Sequence, residues 1–580
     1  MTENKWTSLK VCAFVGGFLI LLVGVGMAPR PASVASQRLS QDEYGPAFYV
    51  LPPGIKPINS VRPSKFRHAR RSYAWRRHGG KLQLVQFSTQ IQHIVVILME
   101  NRTPDNLFAG YYSTQYPPDP TGTTFGQALD LANPAGTPTL VPNHLSAAFD
   151  PLHGYQSAFQ PEAAGLPGPT PLCAGGTCTT SPPGTTLSIN SYVPTSDVTN
   201  YVNLIEQWAY GSHVMQSNEG PSFESHQYAI AGQSGAIHES HPLTTPTPYG
   251  MVENPAKNGT EDDASDPDPD AINGGGSCAT VDTMGNNTRH VQQIDMSQPY
   301  PEPHSHTTAP CNEYKTVLDE MQTWGGTPYY LDWQYVAENP TIIWSGPMAV
   351  THLWQYYSET PGPVPTWQQP FAADPDALQF VADRATPSPG ATYAPTHRSL
   401  AALTYLTPCK YESDHPEFQN FNDGPDWLDY VINSIGESPD WANTAIIVTW
   451  DDWGGWYDHF QPTPAPSPAP TYSPVFPFHP SPNAYHQTRD PYEWGFRVPF
   501  IVISPYVVSR GYVSTKTRSQ GAILNFIESS FSLDTLGTDD KANGSDDLSD
   551  FFDMVLPLKT FSPLPTSYSP PPVGTCNAAP

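Results

Sequence analysis

The sequence predicts an α/β protein: a central, mostly parallel sheet flanked by helices and interrupted by long, loop-rich insertions. Two observations predict it. Ile91-Gln92-His93-Ile94-Val95-Val96-Ile97-Leu98-Met99 and Thr444-Ala445-Ile446-Ile447-Val448-Thr449-Trp450 are apolar, β-branched runs of strand length, the pattern of strands buried on both faces. Helical stretches separate such runs, and alternation of strands with helices builds parallel sheets.

The elements follow in chain order. Residues 36–90 are a basic lead-in, expected to be mobile, in which Arg62, Lys65, Arg67, Arg70, Arg71, Arg76, Arg77 and Lys81 cluster. Two readings stand for it, a solvated linker or a patch that touches an anionic surface. The main domain is expected over 91–560. After its first strand, residues 110–195 are rich in Pro, Gly and Thr and read as loops. Val198 to Trp208 reads as a helix, and another begins near Phe223. Residues 252–310 are polar and loop-like, with an acidic run from Glu261 to Asp270. Alternation resumes with a helix at Tyr314–Met321 and a strand at Thr341–Trp344. Pro425 to Ile435 is a predicted helix, Val498 to Ser504 a strand, and Gly521 to Ser530 a helix. Residues 561–580 form a Pro-rich tail.

Composition narrows the class. Charged residues are 14% of the 580 and aromatics 12%, a balance with ample apolar surface to bury and therefore against wholesale disorder. The net charge of −27 excludes a nucleic-acid binder, whose affinity depends on Lys and Arg neutralising phosphates. The acidity itself reads as solubility or as a demand for cations.

The N-terminus predicts export. Lys5 and Lys10 precede an uncharged run, Val11 to Met27, and Ser33-Val34-Ala35 offers a small-residue cleavage site, so residues 1–35 have the order of a signal peptide. The run falls just short of the ~20 residues of a comfortable span, and an uncleaved anchor is the alternative. The protein is expected to be secreted, periplasmic or extracellular. Six cysteines lie beyond Cys12, and six allow 15 pairings. Proximity favours Cys173–Cys178 and then Cys278–Cys311, and disulfides fit an oxidising compartment.

The chemistry gathers at strand ends. Glu100-Asn101 and Asp451-Asp452 end the two longest strands, and carboxylates beside a sheet core need a positive partner. Ligands of open α/β sheets bind at the carboxyl ends of strands. Four oxygen-bearing side chains there suit a divalent cation, with calcium, magnesium, manganese, iron and zinc all open. The plainer reading makes them helix caps or loop acids. Ser222, in Gly220-Pro221-Ser222, is either an N-cap or a nucleophile at the positive end of a helix, where a phosphate is also stabilised.

The run from Ile94 through Glu100-Asn101-Arg102-Thr103-Pro104-Asp105-Asn106-Leu107-Phe108 resembles the opening motif of the bacterial phosphoesterase family. That family holds phosphatidylcholine-type phospholipases C and the respiratory-burst-inhibiting acid phosphatase, within the alkaline-phosphatase-like superfamily. Further matches follow in order: Gly220-Pro221-Ser222, Ser413-Asp414-His415-Pro416, Thr449 to His459, and Arg497-Val498-Pro499 through Ser504-Pro505-Tyr506. The resemblance implies an alkaline-phosphatase-like α/β/α fold and a divalent metal held by Glu100, Asn101, Asp451 and Asp452, with Ser222 on or near it. It also implies that Ser222 attacks phosphorus and passes through a phospho-enzyme. A cation beside a hydroxyl lowers its pKa and screens the anionic ester, and phosphoryl transfer needs little more than positioning and charge neutralisation.

Three histidines are candidates beside it. His415 lies in the matching Asp-His-Pro loop and is suited to protonate the departing alkoxide. His153, in Asp150-Pro151-Leu152-His153, resembles the family's early histidine. His352 stands where the family shows a pair of basic residues, a departure that leaves open how the non-bridging oxygens are held. His459 is expected to be a structural partner of the aspartate loop. The resemblance implies a phosphate-ester substrate, first of the phospholipase C (phosphodiester) kind and second of the acid-phosphatase (monoester) kind. A phospholipid head group and peripheral membrane contact go with the first. A non-catalytic exported binding protein is the alternative from another class. The aromatics Trp324, Tyr329, Tyr330, Trp333, Trp344, Trp354, Tyr356 and Tyr357 either line an apolar approach or pack a core.

Overall fold

The computed structural model describes residues between 90 and 569, together with the backbone of a hairpin at 72–87. Outside the described residues lie 1–71, 570–580 and internal stretches, the longest being 112–128, 154–188, 235–259, 263–290, 355–370, 374–399 and 461–493. The expected signal run, both expected cysteine pairs and His352 fall there. Among the described residues no helix is long and apolar enough to cross a membrane.

One eight-stranded mixed sheet carries the fold. Its strands, in chain order, are β1 His93–Met99, β2 Ala209–Gly211, β3 Trp333–Ala337, β4 Phe371–Ala373, β5 Leu403–Leu406, β6 Thr444–Trp450, β7 Phe500–Ile503 and β8 Tyr512–Ser514. Their order across the sheet is β4-β3-β5-β1-β6-β7-β2-β8. Every pairing is parallel except the two made by β7, which runs antiparallel to β6 and to β2. β1 and β6 lie side by side at the centre, in register from His93↔Thr444 to Met99↔Trp450, and every residue of both is buried. Each of their valines and isoleucines contributes roughly 1.5–3 kcal/mol by leaving water.

Two of the helices bury a single stripe each. Tyr201, Val202, Leu204 and Ile205 are the buried side of α1 (Thr199–Gln207), and Trp427, Leu428, Val431, Ile432 and Ile435 that of the helix Asp423–Gly436, the spacing of an amphipathic face. Between them in the chain come α2 (Ser222–Ala231) and α3 (Val317–Gln322). The helix at 423–436 is α4, and α5 spans Gly521–Phe531. All five were expected, within a few residues, from the sequence.

Three features differ from expectation. A strand the sequence did not announce lies at Trp333–Ala337; of the expected strand Thr341–Trp344, residues 341–343 lie outside the described residues and Trp344 sits in a turn. Trp333-Gln334-Tyr335 breaks the apolar run that marks the longer strands, which hid it. Inside the basic lead-in, Ser72–His78 pairs antiparallel with Lys81–Phe87. Finally, the start of the Pro-rich tail packs onto the domain as far as Tyr568, whose ring meets that of Tyr430. Phe561 stacks on Trp208 and meets Trp441, with centroids at 6.3 and 5.1 Å. Leu564 donates its N–H to Asn433 Oδ1 and accepts from Asn433 Nδ2 (2.7 and 2.8 Å). A methyl group at Gly436 would stand 2.4 Å from the Phe561 ring, so the glycine at the end of α4 makes room for the strap.

Candidate active site

The aligned ends of β1 and β6 put Glu100-Asn101 and Asp451-Asp452 side by side, and the backbone ties them together. The Asp451 amide donates to Met99 O (2.8 Å), the Arg102 amide to Asp452 O (3.1 Å), and the Asn101 amide to Asp451 Oδ1 (2.9 Å). This crossing requires Asn101 to adopt a left-handed backbone (φ 58°), which Asn tolerates better than other side chains. The Asp451 turn closes against it through Gly454, at φ 62°, where a Cβ would lie 2.3 Å from Asn101 O; its amide donates to Asp452 Oδ1 at 2.6 Å. Only glycine fits there.

Ser222, the first residue of α2, brings its hydroxyl to the same point. Its Oγ lies 3.2 Å from Asn101 Oδ1 and 3.1 Å from Asp452 Oδ2, and a single proton serves the two acceptors. His153 faces the other side of Asn101. Its Nδ1 donates to Pro151 O (2.7 Å), which leaves Nε2 as the acceptor of the Asn101 Nδ2 hydrogen at 3.3 Å, 3.7 Å from Asp452 Oδ2. The structure thus gathers Glu100, Asn101, Asp451, Asp452, Ser222 and His153.

It also adds a residue that sequence reasoning missed. His226 Nε2 is 2.8 Å from Glu100 Oε1 and 3.7 Å from Asp451 Oδ2, and the ring is wholly buried. The signal was present: Ser222 and His226 are four apart on one helix and share a face. Burial and the nearby Asp451 carboxylate push Glu100 far above the ordinary carboxylate range, and the same two causes raise Asp452. Burial holds the His226 imidazole down to about 4, against the pull of Asp451. Carboxylates crowded this closely in a dry setting call for a cation. Glu100 Oε2 has no hydrogen-bond partner among the described residues, and Glu100, His226 and Asp451 offer ligand atoms all within 4.8 Å of one another. The residues fit a divalent metal.

The His415 loop docks on the end of β1, where the Glu100 amide donates to Ser413 O at 2.7 Å. Asp414, at φ 74°, anchors it: its carboxylate accepts from Tyr201 Oη (2.8 Å) and Trp450 Nε1 (3.1 Å), and its carbonyl from both Nε and Nη2 of Arg102. His415 is buried with its ring 5.3 Å from that of Trp344. Of the insertion aromatics, Trp333 and Trp344 are buried and Trp354 packs against the core, the packing reading for these three, while Tyr329, Tyr330, Tyr356, Tyr357 and the side chain of Trp324 lie outside the described residues.

A second cluster braces the loops. Arg497, fully buried, donates Nε to both oxygens of Asp458 (3.0 and 3.1 Å) and Nη1 to Ser212 O and Asp130 O. His459 Nδ1 contacts Asp105 Oδ2 at 2.8 Å and its Nε2 lies 3.4 Å from Asp130 Oδ1, so its partners are these two acids rather than the Asp451-Asp452 turn. Burial alone would lower the His459 pKa, but hydrogen bonds to Asp105 and Asp130 outweigh it and raise the value to about 10 from 6.5. A raised folded-state value stabilises fully below the unfolded value and fades as pH climbs through the folded one. The melting-temperature gap between wild type and His459→Gln should therefore be widest below pH 6.5 and close towards pH 10. A gap that stays constant across that range would remove the ion pair from the account.

The ends of the central strands supply an amide and carboxylates, and α2 and the loop at His153 supply a hydroxyl and two imidazoles, a hydrolase-type donor set compatible with a divalent cation. The chain belongs to the phosphoesterase family, whose model matches residues 91–534. It is 30% identical over 141 residues to a non-hemolytic phospholipase C of Burkholderia pseudomallei, covering 23% of this chain and 19% of that protein. It is 33% identical over 112 residues to phospholipase C A of Mycobacterium tuberculosis, covering 19% and 21%. The matched stretch spans about one fifth of the length of these relatives. A murine ectonucleotide pyrophosphatase/phosphodiesterase 5 structure aligns over 62% of this chain and 96% of its own, at 10% identity and a TM-score of 0.28, too distant to argue from.

Proposed function

We propose that the protein is an exported, metal-dependent phosphoesterase on an alkaline-phosphatase-like fold, acting on phosphodiesters of the phospholipase C kind through a phosphoserine at Ser222. The observation that carries this is the placement of Ser222 Oγ, 3.2 Å from Asn101 Oδ1 and 3.1 Å from Asp452 Oδ2, beside three buried carboxylates. Glu100, Asn101, Asp451 and Asp452 would hold the cation with Ser222. When bound it neutralises charge on the ester and acidifies the hydroxyl.

The chain's own residues do the rest. Asn101 and Asp452 orient the Ser222 hydroxyl, and as its proton passes to Asp452 Oδ2, the acceptor 3.1 Å away, Oγ forms a bond to phosphorus while the bond to the departing alkoxide breaks. His415 supplies the proton that the alkoxide takes up. Water then cleaves the phosphoserine and restores Ser222. His153, its Nδ1 held by Pro151 O and its Nε2 turned to Asn101 Nδ2, keeps the Asn101 amide oxygen towards Ser222. The phospholipase C relatives support the diester reading, and the acidic, histidine-flanked centre serves a monoesterase equally well.

Purified protein should hydrolyse p-nitrophenylphosphorylcholine faster than p-nitrophenyl phosphate, and a chelator should abolish both. Preference for the monoester would assign an acid phosphatase. Turnover of neither, with phosphate still bound, would assign a binding protein on the same fold.

A further inference from the structure

His226 has no part in the reaction as just described, yet it is buried at the centre of the carboxylate group. We propose that His226 is a nitrogen ligand of the divalent cation, and that it makes this a centre for a borderline transition metal, zinc or iron, in preference to calcium or magnesium. The inference rests on the reading of the site as a cation centre. Two ligand atoms on one metal at about 2.0–2.2 Å stand roughly 2.8–3.6 Å apart for angles between 90° and tetrahedral. The His226 Nε2 distances to Glu100 Oε1 and Asp451 Oδ2, 2.8 and 3.7 Å, bracket that spacing.

The far side of the ring supports the assignment. Tyr335 Oη donates to Trp344 O at 3.3 Å, so its oxygen remains to accept a proton from His226 Nδ1, 3.5 Å away. With the proton on Nδ1, the lone pair of Nε2 points at two carboxylates, an arrangement that a cation between them resolves. Ligating histidines commonly hand their other N–H to such an outer partner. The unpartnered Glu100 Oε2 points to the same cation independently of the histidine. Position on the scaffold adds to this. His226 follows Ser222 by one helical turn, so one rigid element presents both the hydroxyl and the imidazole. Gly346 holds that turn from behind, since a Cβ there would lie 2.2 Å from His226 O. An imidazole among carboxylates favours zinc and iron over the hard, oxygen-seeking calcium and magnesium. The rival arrangement puts the proton on Nε2 and makes His226 a mere hydrogen-bond donor to Glu100.

Electron-spin-echo modulation of chelator-stripped protein reloaded with Cu(II) separates the two. The wild type should show the remote-nitrogen modulation of a bound imidazole; His226→Gln should lose it, and His153→Gln should keep it. In chelator competition, His226→Gln should weaken zinc at least tenfold while calcium affinity moves less than about twofold. Copper bound by the wild type without imidazole modulation, or modulation that survives in His226→Gln, overturns the proposal, as does an equal loss of zinc and calcium. The wild-type spectrum carries the test even if the glutamine variant folds poorly. Failure of the cation centre itself looks different: the wild type then holds none of these metals and its turnover ignores chelator.

Discussion

Ser222→Ala should lower kcat for a phosphodiester by at least about a thousandfold, roughly 4 kcal/mol of barrier at 1.4 kcal/mol per factor of ten. The change removes the atom that bonds to phosphorus, and no neighbour replaces it. Asn101 Oδ1 and Asp452 Oδ2, both within hydrogen-bond reach of Oγ, are an amide and a carboxylate, and the second carboxylate oxygen of Asp452 already accepts the Gly454 amide. Stability should move little, because the hydroxyl leaves behind oxygens that the cation or water can satisfy. If Ser222 served instead as a cap for α2, its loss would cost about 0.5–2 kcal/mol of stability and leave kcat near normal. The measurement is therefore paired, turnover beside chemical denaturation. Ser222→Thr sharpens it, since a variant that keeps a hydroxyl should retain activity. Wild-type turnover in the alanine variant would end the covalent mechanism.

Arg497→Met should destabilise the fold by about 3–5 kcal/mol, the usual cost of stripping one partner from a buried ion pair. Arg497 and Asp458 are both fully buried, and the guanidinium also bonds the carbonyls of Ser212 and Asp130. Methionine fills much of the volume but leaves Asp458 without its cation. Burial already pushes the Asp458 carboxyl up to about 7, with Arg497 pulling the other way, so the variant should recover part of its loss as pH falls and Asp458 takes a proton. Urea midpoints at pH 5 and pH 8 measure both effects. A loss under about 1 kcal/mol at pH 8 would mean that the cluster is a surface-grade pairing despite its burial.

The parts of this molecule legible in its sequence share one property: they are local and long. The seven-residue strands β1 and β6, and helices α1, α4 and α5, announce themselves by unbroken apolar runs or by a buried stripe. The paired acids at the strand ends were legible for the same reason, because they terminate those runs. Strand direction was not. An apolar run buried on both faces looks the same whether its neighbours are parallel or antiparallel, and β7 turned out antiparallel to both. Short strands with polar or aromatic members, such as Trp333–Ala337, carry too few residues to show a period. His226 is hidden because its partner Glu100 lies 126 residues away in the chain, and its one local mark is a place one helical turn beyond Ser222. The Phe561 strap was missed because prolines mark chain that is not helical, and say nothing of whether it packs.

The central strand pair has a consequence in time. Asn101 and Asp451 touch although 350 residues separate them. Closing so long a loop costs little more equilibrium entropy than closing a short one, but it delays the contact. While β6 is still on the ribosome, β1 is an apolar strand with one of its two central neighbours missing, and Glu100 and Asn101 have no Asp451 and Asp452 beside them. The gathered site is consequently one of the last things the chain makes, and a nascent or truncated form ending before Trp450 lacks two of its carboxylates.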